Sequence, residues 1–314
     1  MTNQRFVIAA LLIALALVAP LFVYPVFLMT ALCFALFAYA FDLLLGYVGL
    51  MSFGHAMFFG MGGYFFGYAV KNMGLAPEVG LLAGVGGAAL LGLVTGALAI
   101  RRQGIYFAMI TLAFAQMVYF FCIQAPFTHG EDGLQGIVRK PLLGGLIPTK
   151  DDRVLYYVVL AIFLFGYGAI YRFIHSPFGQ VLKAIRDNEQ RAVSLGYEAD
   201  RYKLLAFVLS ASLAGLAGAI KALVLQFATL TDVSAGTSGD VVLMALIGGL
   251  GTTLGPLIGA FIIVAMRNYL AFTGEFVLVI QGAIFVVIVM AFRKGLVGEF
   301  ADWWKGRRRR RKAF

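Results

Sequence analysis

The sequence predicts an all-α integral membrane protein of about ten transmembrane segments, with glycine-broken helices and both termini in the cytoplasm. Of the 314 residues, 61% are hydrophobic and 13% are charged, and the mean hydropathy is +0.91. A soluble domain carries about 25% charged residues, so this composition excludes an ordinary soluble enzyme, a disordered chain and a nucleic-acid-binding domain. The apolar runs are long and do not alternate with polar residues, which favours membrane-spanning helices over a β-barrel.

The first apolar stretch indicates two spans near the N-terminus. Residues 6–41 contain no charged residue, which leaves room for two crossings of about 20 residues each around Pro20 and Pro25. We therefore expect a retained first span rather than a cleaved signal peptide. Apolar runs predict the remaining spans, including a short run at 241–250 that either crosses the membrane or dips in and returns. The predicted spans are residues 6–24, 26–45, 51–70, 79–100, 105–124, 154–173, 204–228, 241–250, 256–269 and 276–292.

Basic residues set the predicted orientation, because cytoplasmic loops are enriched in Lys and Arg. With the N-terminus inside and the spans alternating, 18 Lys and Arg fall on the cytoplasmic side and 6 on the outer side. Nine of the 18 lie in the tail 293–314, which we interpret as a cytoplasmic anchor beside anionic lipid rather than a nucleic-acid-binding segment. Residues 1–314 then form a single transmembrane domain, with a long outer loop at 125–153 and a cytoplasmic loop at 175–203.

The cytoplasmic loop begins with the signals of an amphipathic helix. Ser176-Pro177 is typical of an N-cap followed by proline at the first helical position. The apolar residues that follow fall on one face of a helix. They are Phe178, Val181, Leu182 and Ile185. The loop is therefore expected to be structured, with one face packed.

A second short helix is predicted directly afterwards. Asp187 followed by Gln190 has the spacing of a capping box, and Gly196 has the left-handed freedom that ends a helix. A short, well-delimited helix on a cytoplasmic loop suits insertion into a groove of a partner protein, with the charges of 186–191 fixing its register. The alternative is a solvated connector whose charges face water.

Two membrane segments combine glycine with interrupted apolar character, at 46–63 and 248–260. Glycine weakens a helix, and Pro256 removes a hydrogen-bond donor. Irregular backbone at membrane depth survives only where it is buried in protein or lines a watery cavity, and in transporters it often meets the substrate. The alternative is close helix packing through small residues, which we favour for Gly84 to Gly96.

Polar residues within the predicted spans are few, and no acidic ladder crosses the membrane. Asp42 and Asp240 lie near span ends, and Lys221 is expected to reach the outer surface with its long side chain. Cys33 and Cys122 lie in apolar runs, so we interpret them as small core residues. Because the histidines are far apart, a metal site is not expected.

Nucleotide-binding and catalytic motifs are missing from the sequence. It contains no Gly-Lys dipeptide, hence no GxxxxGK[ST] phosphate loop, and neither GxSxG nor HExxH. We therefore expect no cofactor bound by this chain and no enzymatic activity of its own. If nucleotide energy drives the protein, another chain hydrolyses it.

Six stretches occur in an order that is specific to one family. They are GYVGLMSFGHAMFFGMGGY from Gly46, RQGIYFAMITLAFAQ from Arg102, FTHGEDGLQGI from Phe127, SPFGQVLKAIRDNEQRAVSLGY from Ser176, KLLAFVLSASLAGLAGAI from Lys203 and LIGGLGTTLGPLIGA from Leu246. With them, residues 35–298 resemble the LivM-type permease subunits of branched-chain amino acid ABC importers. One departure is His129, where the family commonly has glycine in a TGGxxGL stretch, and the long 125–153 loop favours a LivM-like over a LivH-like member.

The resemblance implies a multi-pass protein of the bacterial inner membrane with several partners. These are a LivH-like second permease, two cytoplasmic ABC ATPases that bind ATP and Mg, and a periplasmic substrate-binding protein, besides membrane lipid. It also implies that part of the 175–203 loop couples to the ATPases. The coupling residues would be Arg186, Asp187, Asn188, Glu189, Arg191, Ala192, Leu195 and Gly196.

The expected function is ATP-driven import of branched-chain amino acids by alternating access. The candidate translocation path runs along the two glycine-broken segments. Its residues are Gly46, Gly49, Ser52, Gly54, His55, Gly248, Gly249, Gly251 and Thr252. The alternatives are the same machinery carrying urea, short amides or aromatic acids, and an ion-coupled carrier or channel, against which the missing acidic ladder argues. A membrane enzyme is a third alternative, without a reactive constellation to support it.

Overall fold

The computed structural model describes residues 14–145, 147–270, 276–292 and 295–299. Eleven α-helices lie in that part of the chain with both ends defined. They are α1 (Pro25–Asp42), α2 (His55–Lys71), α3 (Pro77–Ala99), α4 (Ile105–Gln124), α5 (Asp152–His175), α6 (Pro177–Asp187), α7 (Glu189–Ser194), α8 (Ala199–Leu225), α9 (Ala235–Gly248), α10 (Gly255–Tyr269) and α11 (Phe276–Ala291). A short antiparallel pair joins β1 (Leu134–Gln135) to β2 (Phe227–Ala228).

The predicted all-α membrane fold is confirmed. Among the described residues, five helices are long and apolar enough to cross a membrane: α1 with its extension to Val48, α3, α4, α5 and α8. Shorter apolar helices are α9, α10 and the central part of α11. Together with α2 they correspond to the predicted spans from 26 onward. The predicted first span, 6–24, is described only from residue 14, and the tail 293–314 lies almost wholly outside the described residues.

Two helices form the centre of the bundle. Helix α8 packs against α1, α2 and α3, and α1 packs in addition against α5, α9 and α10. Small residues permit the closest of these approaches: a Cβ at Gly84 of α3 would lie 2.8 Å from the carbonyl oxygen of Gly62 in α2. Gly84, Ala88, Gly92 and Gly96 are buried at a spacing of four residues, so the expected small-residue packing of this helix is confirmed.

The contacts between loops separate two ends of the bundle. At one end, the 125–153 loop pairs through β1 with the chain after α8, and Lys71 at the end of α2 donates to the Gln135 carbonyl at 2.7 Å. At the opposite end, Glu189 of the 175–203 loop accepts from Gln103, between α3 and α4, at 2.8 Å. We call these ends the outer-loop end and the coupling-loop end, and the 175–203 loop the coupling loop, after the role that the family resemblance implies for it. The two loops lie at opposite ends of the bundle, as the predicted alternation of the spans requires.

Two charged residues differ from the sequence expectation. Lys221 does not reach the surface: it is buried, pairs with Asp232, and lies 5.9 Å from the centre of the Phe59 ring. Asp240 does not lie near the end of a span, because α9 begins at Ala235, before the predicted 241–250 segment. Its side chain is buried, and Arg267 and Gln281 donate hydrogen bonds to its carboxylate. Pairing of this kind lowers the cost of a charge in the membrane interior. Cys33 and Cys122 are buried, as expected.

Candidate functional site

The first glycine-broken segment is a break between α1 and α2. Helix α1 continues into a π-helical turn, Leu43–Val48, and Gly49 then takes φ +83°, a left-handed conformation that ends the helix. Helix α2 begins only at His55, so residues 50–54 cross over as irregular backbone. π-Turns are rare and occur frequently at functional sites. The sequence prediction of a broken helix here is confirmed.

The second glycine-broken segment separates α9 from α10. Gly249 and Gly251 both have positive φ, at +112° and +66°. The Thr252 hydroxyl stabilises the turn, donating to the Gly249 carbonyl at 2.7 Å and accepting from the Gly255 N–H at 3.0 Å. Gly248 lies directly against the Gly255 backbone, where any side chain would collide. The backbone of this turn is therefore held by its own hydroxyl and by the absence of Cβ atoms.

The two broken segments meet each other, although about 200 positions separate them in the chain. The Asp42 carboxylate accepts from the Gly251 N–H at 2.8 Å, and the Tyr47 hydroxyl donates to the Gly251 carbonyl at 3.1 Å. The Tyr39 hydroxyl donates to the Thr253 carbonyl at 2.7 Å. A Cβ at Gly46 would lie 2.8 Å from the Gly251 nitrogen, so only glycine allows this approach. We call this contact region the junction.

The remaining candidate path residues are buried and tightly packed. Ser52, Gly54 and His55 are buried, with Gly54 against the Thr111 backbone of α4. The His55 Nε2 lies 2.8 Å from the Ser210 hydroxyl, which in turn donates to the Ala40 carbonyl. Since that hydroxyl has a single proton, His55 donates through Nε2. These residues join α1, α2, α4 and α8 to one another.

A small cavity borders the junction. It measures about 20 Å³, which is room for roughly one water molecule and far too little for an amino acid. Its walls come from α1, α5 and the turn before α10. They include Tyr39, Asp42, Tyr47, Tyr167, Thr252 and Thr253. The cavity beside the junction is therefore too small to hold a solute in this conformation.

The coupling loop folds as two capped helices. The Ser176 hydroxyl accepts from the Gly179 N–H at 3.3 Å, as predicted, and Gly196 has φ +90°. The cap of the second helix was predicted at Asp187, and that prediction is wrong. Asn188 caps α7 instead, accepting from the Arg191 N–H at 2.9 Å, because Asp187 is still the last residue of α6.

The inner side of the coupling loop contacts the first broken segment. Arg186 donates through Nη1 to the Gly46 carbonyl, and a Cβ at Gly49 would lie 2.9 Å from its Cγ. The Lys183 ammonium lies 5.7 Å from the centre of the Tyr47 ring. The buried face of α6, with Leu182 and Ile185, confirms the predicted apolar face. Helix α6 is therefore fastened directly to the junction.

The predicted coupling residues divide into two sets. Arg186, Glu189 and Ala192 contact the rest of the chain: Arg186 bonds to Gly46 although its side chain is 42% exposed, Glu189 pairs with Lys203 at 2.5 Å, and Ala192 packs in a small buried cluster. Asp187, Asn188, Arg191, Leu195 and Gly196 are exposed. The structure adds two residues to this exposed set that the sequence reasoning missed, Val193 and Tyr197. Their signal in the sequence was hydrophobicity on a loop otherwise rich in charge.

The junction residues Tyr39, Asp42 and Tyr47 were also missed as a group. From the sequence, Asp42 is only a charge near the end of a span, and the two tyrosines do not stand out among the apolar residues around them. The one available signal was position, since Asp42 is the charge that ends the uncharged stretch 6–41, four residues before Gly46. Nothing in the sequence pairs these residues with Gly251.

Comparisons with known proteins agree with this architecture. The profile of a family described as "Branched-chain amino acid transport system / permease component" matches residues 23–289. The high-affinity branched-chain amino acid transport system permease protein LivM of Escherichia coli K12 is 27% identical over 283 residues, 82% of this chain and 65% of that protein. A probable branched-chain amino acid transport permease LivM of Methanocaldococcus jannaschii is 25% identical over 259 residues, 71% of this chain and 74% of that protein.

A relative that matches over a shorter stretch is named for the transport of a different substrate. The xylose transport system permease protein XylH of Escherichia coli K12 is 27% identical over 154 residues, 46% of this chain and 38% of that protein. No solved structure matches the chain. The chain spans about 65% of the length of the Escherichia coli LivM protein. Since the family match extends over most of the described residues, the chain belongs to the family of permease components of branched-chain amino acid transport systems.

Proposed function

We propose that this chain is the transmembrane permease subunit of an ATP-driven importer for branched-chain amino acids. The family match and the LivM relatives support transport, and the coupling-loop geometry supports a drive from outside the chain. The observation that carries the proposal is the bond from Arg186 to the Gly46 carbonyl, because it fastens an otherwise exposed loop to a broken membrane segment. Partner ATPases would hold ATP and Mg, and this chain would hold neither.

The family resemblance supplies the proposed partners, and the two ends of the bundle offer them separate docking sites. Two ABC ATPases dock at the coupling-loop end, a periplasmic binding protein delivers substrate at the outer-loop end, and a LivH-like permease lies beside this chain in the bacterial inner membrane. The docking surface on this chain is the exposed side of α7 and the residues after it. Val193 is 53% exposed and Leu195 is 71% exposed, and such apolar side chains on a polar loop fit a groove in a partner.

Alternating access gives the loop its proposed task. ATP binding closes the ATPases, their grooves move α7, and α6 passes the displacement to Gly46. Helix α6 is suited to this task because its inner face is buried and its first turn is capped, so that it moves as a stiff element. The ATPases drive the cycle only if their docking favours one conformation of the membrane segments over the other.

The docking surface is tested by substituting an exposed leucine. Leu195→Ser is expected to reduce co-purification of the ATPases with the tagged permease about tenfold, the effect of losing a well-buried apolar contact at an interface. Leu90→Ser is the matched control, since Leu90 is 64% exposed on α3, away from the loop. Equal recovery of the ATPases with both variants contradicts the docking surface.

The charged loop residues are expected to separate into two classes. Arg191→Ala should weaken ATPase co-purification, since this side chain is exposed. Arg186→Ala and Glu189→Ala should leave co-purification largely intact but lower uptake per ATP hydrolysed, because both side chains contact this chain. Unchanged co-purification and unchanged transport-coupled hydrolysis in all three variants refute the coupling role of the loop.

The cargo is tested on the partner that selects it. The affinity of the cognate binding protein for leucine, isoleucine, valine and urea distinguishes branched-chain amino acids from the alternatives. The xylose permease relative supports a wider range of cargo for the same architecture. An ion-coupled carrier is the rival from another class, and uptake by the purified chain alone in liposomes under an ion gradient favours it.

A further inference from the structure

Two side chains at the end of α1 and one in the first broken segment hold the backbone of the second broken segment. Tyr39 bonds to the Thr253 carbonyl, Asp42 to the Gly251 N–H and Tyr47 to the Gly251 carbonyl. All three come from α1 and the π-helical turn that continues it. We call these three side chains the clamp. Together they satisfy three backbone groups in a turn where no helix can satisfy them.

The π-helical turn explains how the three side chains come to one side. Tyr39 and Asp42 are three positions apart and share a face of α1. Asp42 and Tyr47 are five positions apart, which in an α-helix would place them on different faces. A π-turn bonds residue i to residue i+5, so it stacks positions five apart. The break in the helix is therefore what aims Tyr47 at Gly251.

The backbone at the junction requires glycine at two positions. Gly251 has φ +66°, where a side chain is strained, and Gly46 has no room for a Cβ because Asp42 and Gly251 fill the space. A buried carboxylate is costly inside a membrane protein unless its oxygens are hydrogen-bonded. Asp42 is 2% exposed, and the Gly251 N–H is the hydrogen bond that the structure gives its Oδ1.

Arg186 makes the same segment a connection to the coupling loop. It donates to the carbonyl of Gly46, which packs on Gly251, and its stem packs on Gly49. A displacement of α6 therefore acts first on Gly46, one residue before Tyr47 of the clamp. Without the clamp, residues 251–253 would lose their three hydrogen bonds to α1 and the π-helical turn, and only packing would couple the second segment to the first.

We infer that Tyr39, Asp42 and Tyr47 are positioning residues for transport, which make the two glycine-broken segments move as one unit when Arg186 pulls on Gly46. The inference rests on the proposed function, in which partner ATPases move the coupling loop. Asp42 acts as a hydrogen-bond acceptor in this arrangement. An amide oxygen at the same position therefore fulfils the same task, whereas a methyl group does not.

The test measures leucine uptake and ATP hydrolysis in proteoliposomes that contain the full complex and its binding protein. Asp42→Ala is expected to lower leucine taken up per ATP hydrolysed about tenfold, the size of effect that loss of a charge-assisted hydrogen bond produces. Asp42→Asn is expected to stay within about twofold of the wild type, because its amide oxygen still accepts from Gly251. ATPase co-purification is expected to be unchanged in both.

Two milder variants keep the test decisive if Asp42→Ala fails to fold. Tyr39→Phe and Tyr47→Phe each remove one hydroxyl and are expected to lower the same ratio about two- to threefold, as loss of a neutral hydrogen bond does. Tyr156→Phe is the matched control: its hydroxyl donates to the Ala16 carbonyl at 2.7 Å, far from the junction, so its ratio stays at the wild-type value.

The outcomes separate the inference from the function on which it rests. If the wild-type complex does not couple ATP hydrolysis to leucine uptake, the proposed function fails. If it does, and the ratio is unchanged in Asp42→Ala or, where that variant does not fold, in both tyrosine variants, the inference is overturned. A ratio that falls equally in Tyr156→Phe also overturns it, since the effect is then general loss of stability.

Discussion

Helices α1 and α3 are alike in hydropathy and very different in burial. Their most apolar stretches have nearly equal hydropathy, 2.1 and 2.0, yet 89% of the α1 stretch is buried within the chain against 28% of the α3 stretch. Helix α1 is surrounded by α5, α8, α9 and α10, whereas α3 packs one small-residue face on α2 and α8 and exposes leucines on the other. Hydropathy therefore identifies a membrane helix without locating it, because lipid and protein interior are equally apolar.

The largest difference in stability between the centre and the periphery of the bundle is expected for a buried ion pair. Lys221 in α8 pairs with Asp232, both nearly inaccessible, so Lys221→Met leaves a buried carboxylate without its partner. The free energy of unfolding should fall by about 3–5 kcal/mol. Thermal or denaturant unfolding in detergent measures it, and the double variant Lys221→Met/Asp232→Asn should recover most of the loss.

The control for this prediction is an exposed ion pair at the start of the same helix. Arg201 and Glu198 are 2.5 Å apart, with side chains 79% and 59% exposed. Glu198→Ala should change the free energy of unfolding by less than about 1 kcal/mol, because exposed pairs contribute little. Equal losses in the buried and exposed pairs would show that burial does not decide the effect.

The next largest contrast is expected from two leucines in α1 and α3. Leu36 is fully buried, and Leu90 is 64% exposed. Leu36→Ala should lower the free energy of unfolding by about 2–4 kcal/mol, since it leaves a cavity in packed protein. Leu90→Ala should cost less than about 1 kcal/mol, because lipid chains or a partner refill the space. Similar losses measured by unfolding in detergent would contradict the division into centre and periphery.

A smaller contrast is expected from two glycines. Gly218 of α8 lies directly on the Phe59 backbone of α2, so Gly218→Ala forces the two helices apart and should lower the free energy of unfolding by about 1–3 kcal/mol. Gly86 of α3 has open space where its Cβ would be, so Gly86→Ala should be neutral or slightly stabilising. The same unfolding measurement tests both variants. A destabilised Gly86→Ala would contradict the open space beside Gly86.

The smallest effect is expected in the coupling loop, where local rules replace packing. Asn188→Ala removes the N-cap of α7 and should weaken that helix by about 0.5–2 kcal/mol, seen as faster hydrogen exchange at 189–196 with global unfolding unchanged. Asp187→Ala is the matched control, because this exposed neighbour is the cap that the sequence pattern predicted wrongly. Equal exchange in the two variants would refute the assignment of the cap to Asn188.

The coupling loop and the junction show how far local patterns reach. Ser176, the apolar face of α6 and Gly196 were predicted correctly, because caps and amphipathic spacing involve residues within one or two turns. Asp187 and Asn188 are adjacent good caps, and the choice between them depended on how far α6 continued. The partners of Arg186 and Glu189 were not predictable. Gly46 comes next to Arg186, and Lys203 next to Glu189, only when the helices pack.

His129 is a position that the sequence marks as unusual and that only the structure explains. It has φ +59°, a left-handed conformation that glycine adopts readily, and it stands where the resemblance leads one to expect glycine. The sequence comparison marked the position as a departure from the family pattern. The structure gives the reason that glycine suits it, and places it in the 125–153 loop between two short turns.

By itself the sequence determined the membrane class, most of the helices, the two glycine-broken segments and the family, because hydrophobic length, glycine and short motifs are properties of contiguous residues. Only the tertiary structure decided which apolar helices lie inside, that Lys221 pairs with Asp232, and that Tyr39, Asp42 and Tyr47 hold the backbone at Gly251. The physical reason is that a residue's partners in a membrane bundle come from helices far apart in the chain. Hydropathy, which is nearly uniform along the spans, carries no record of which helices meet.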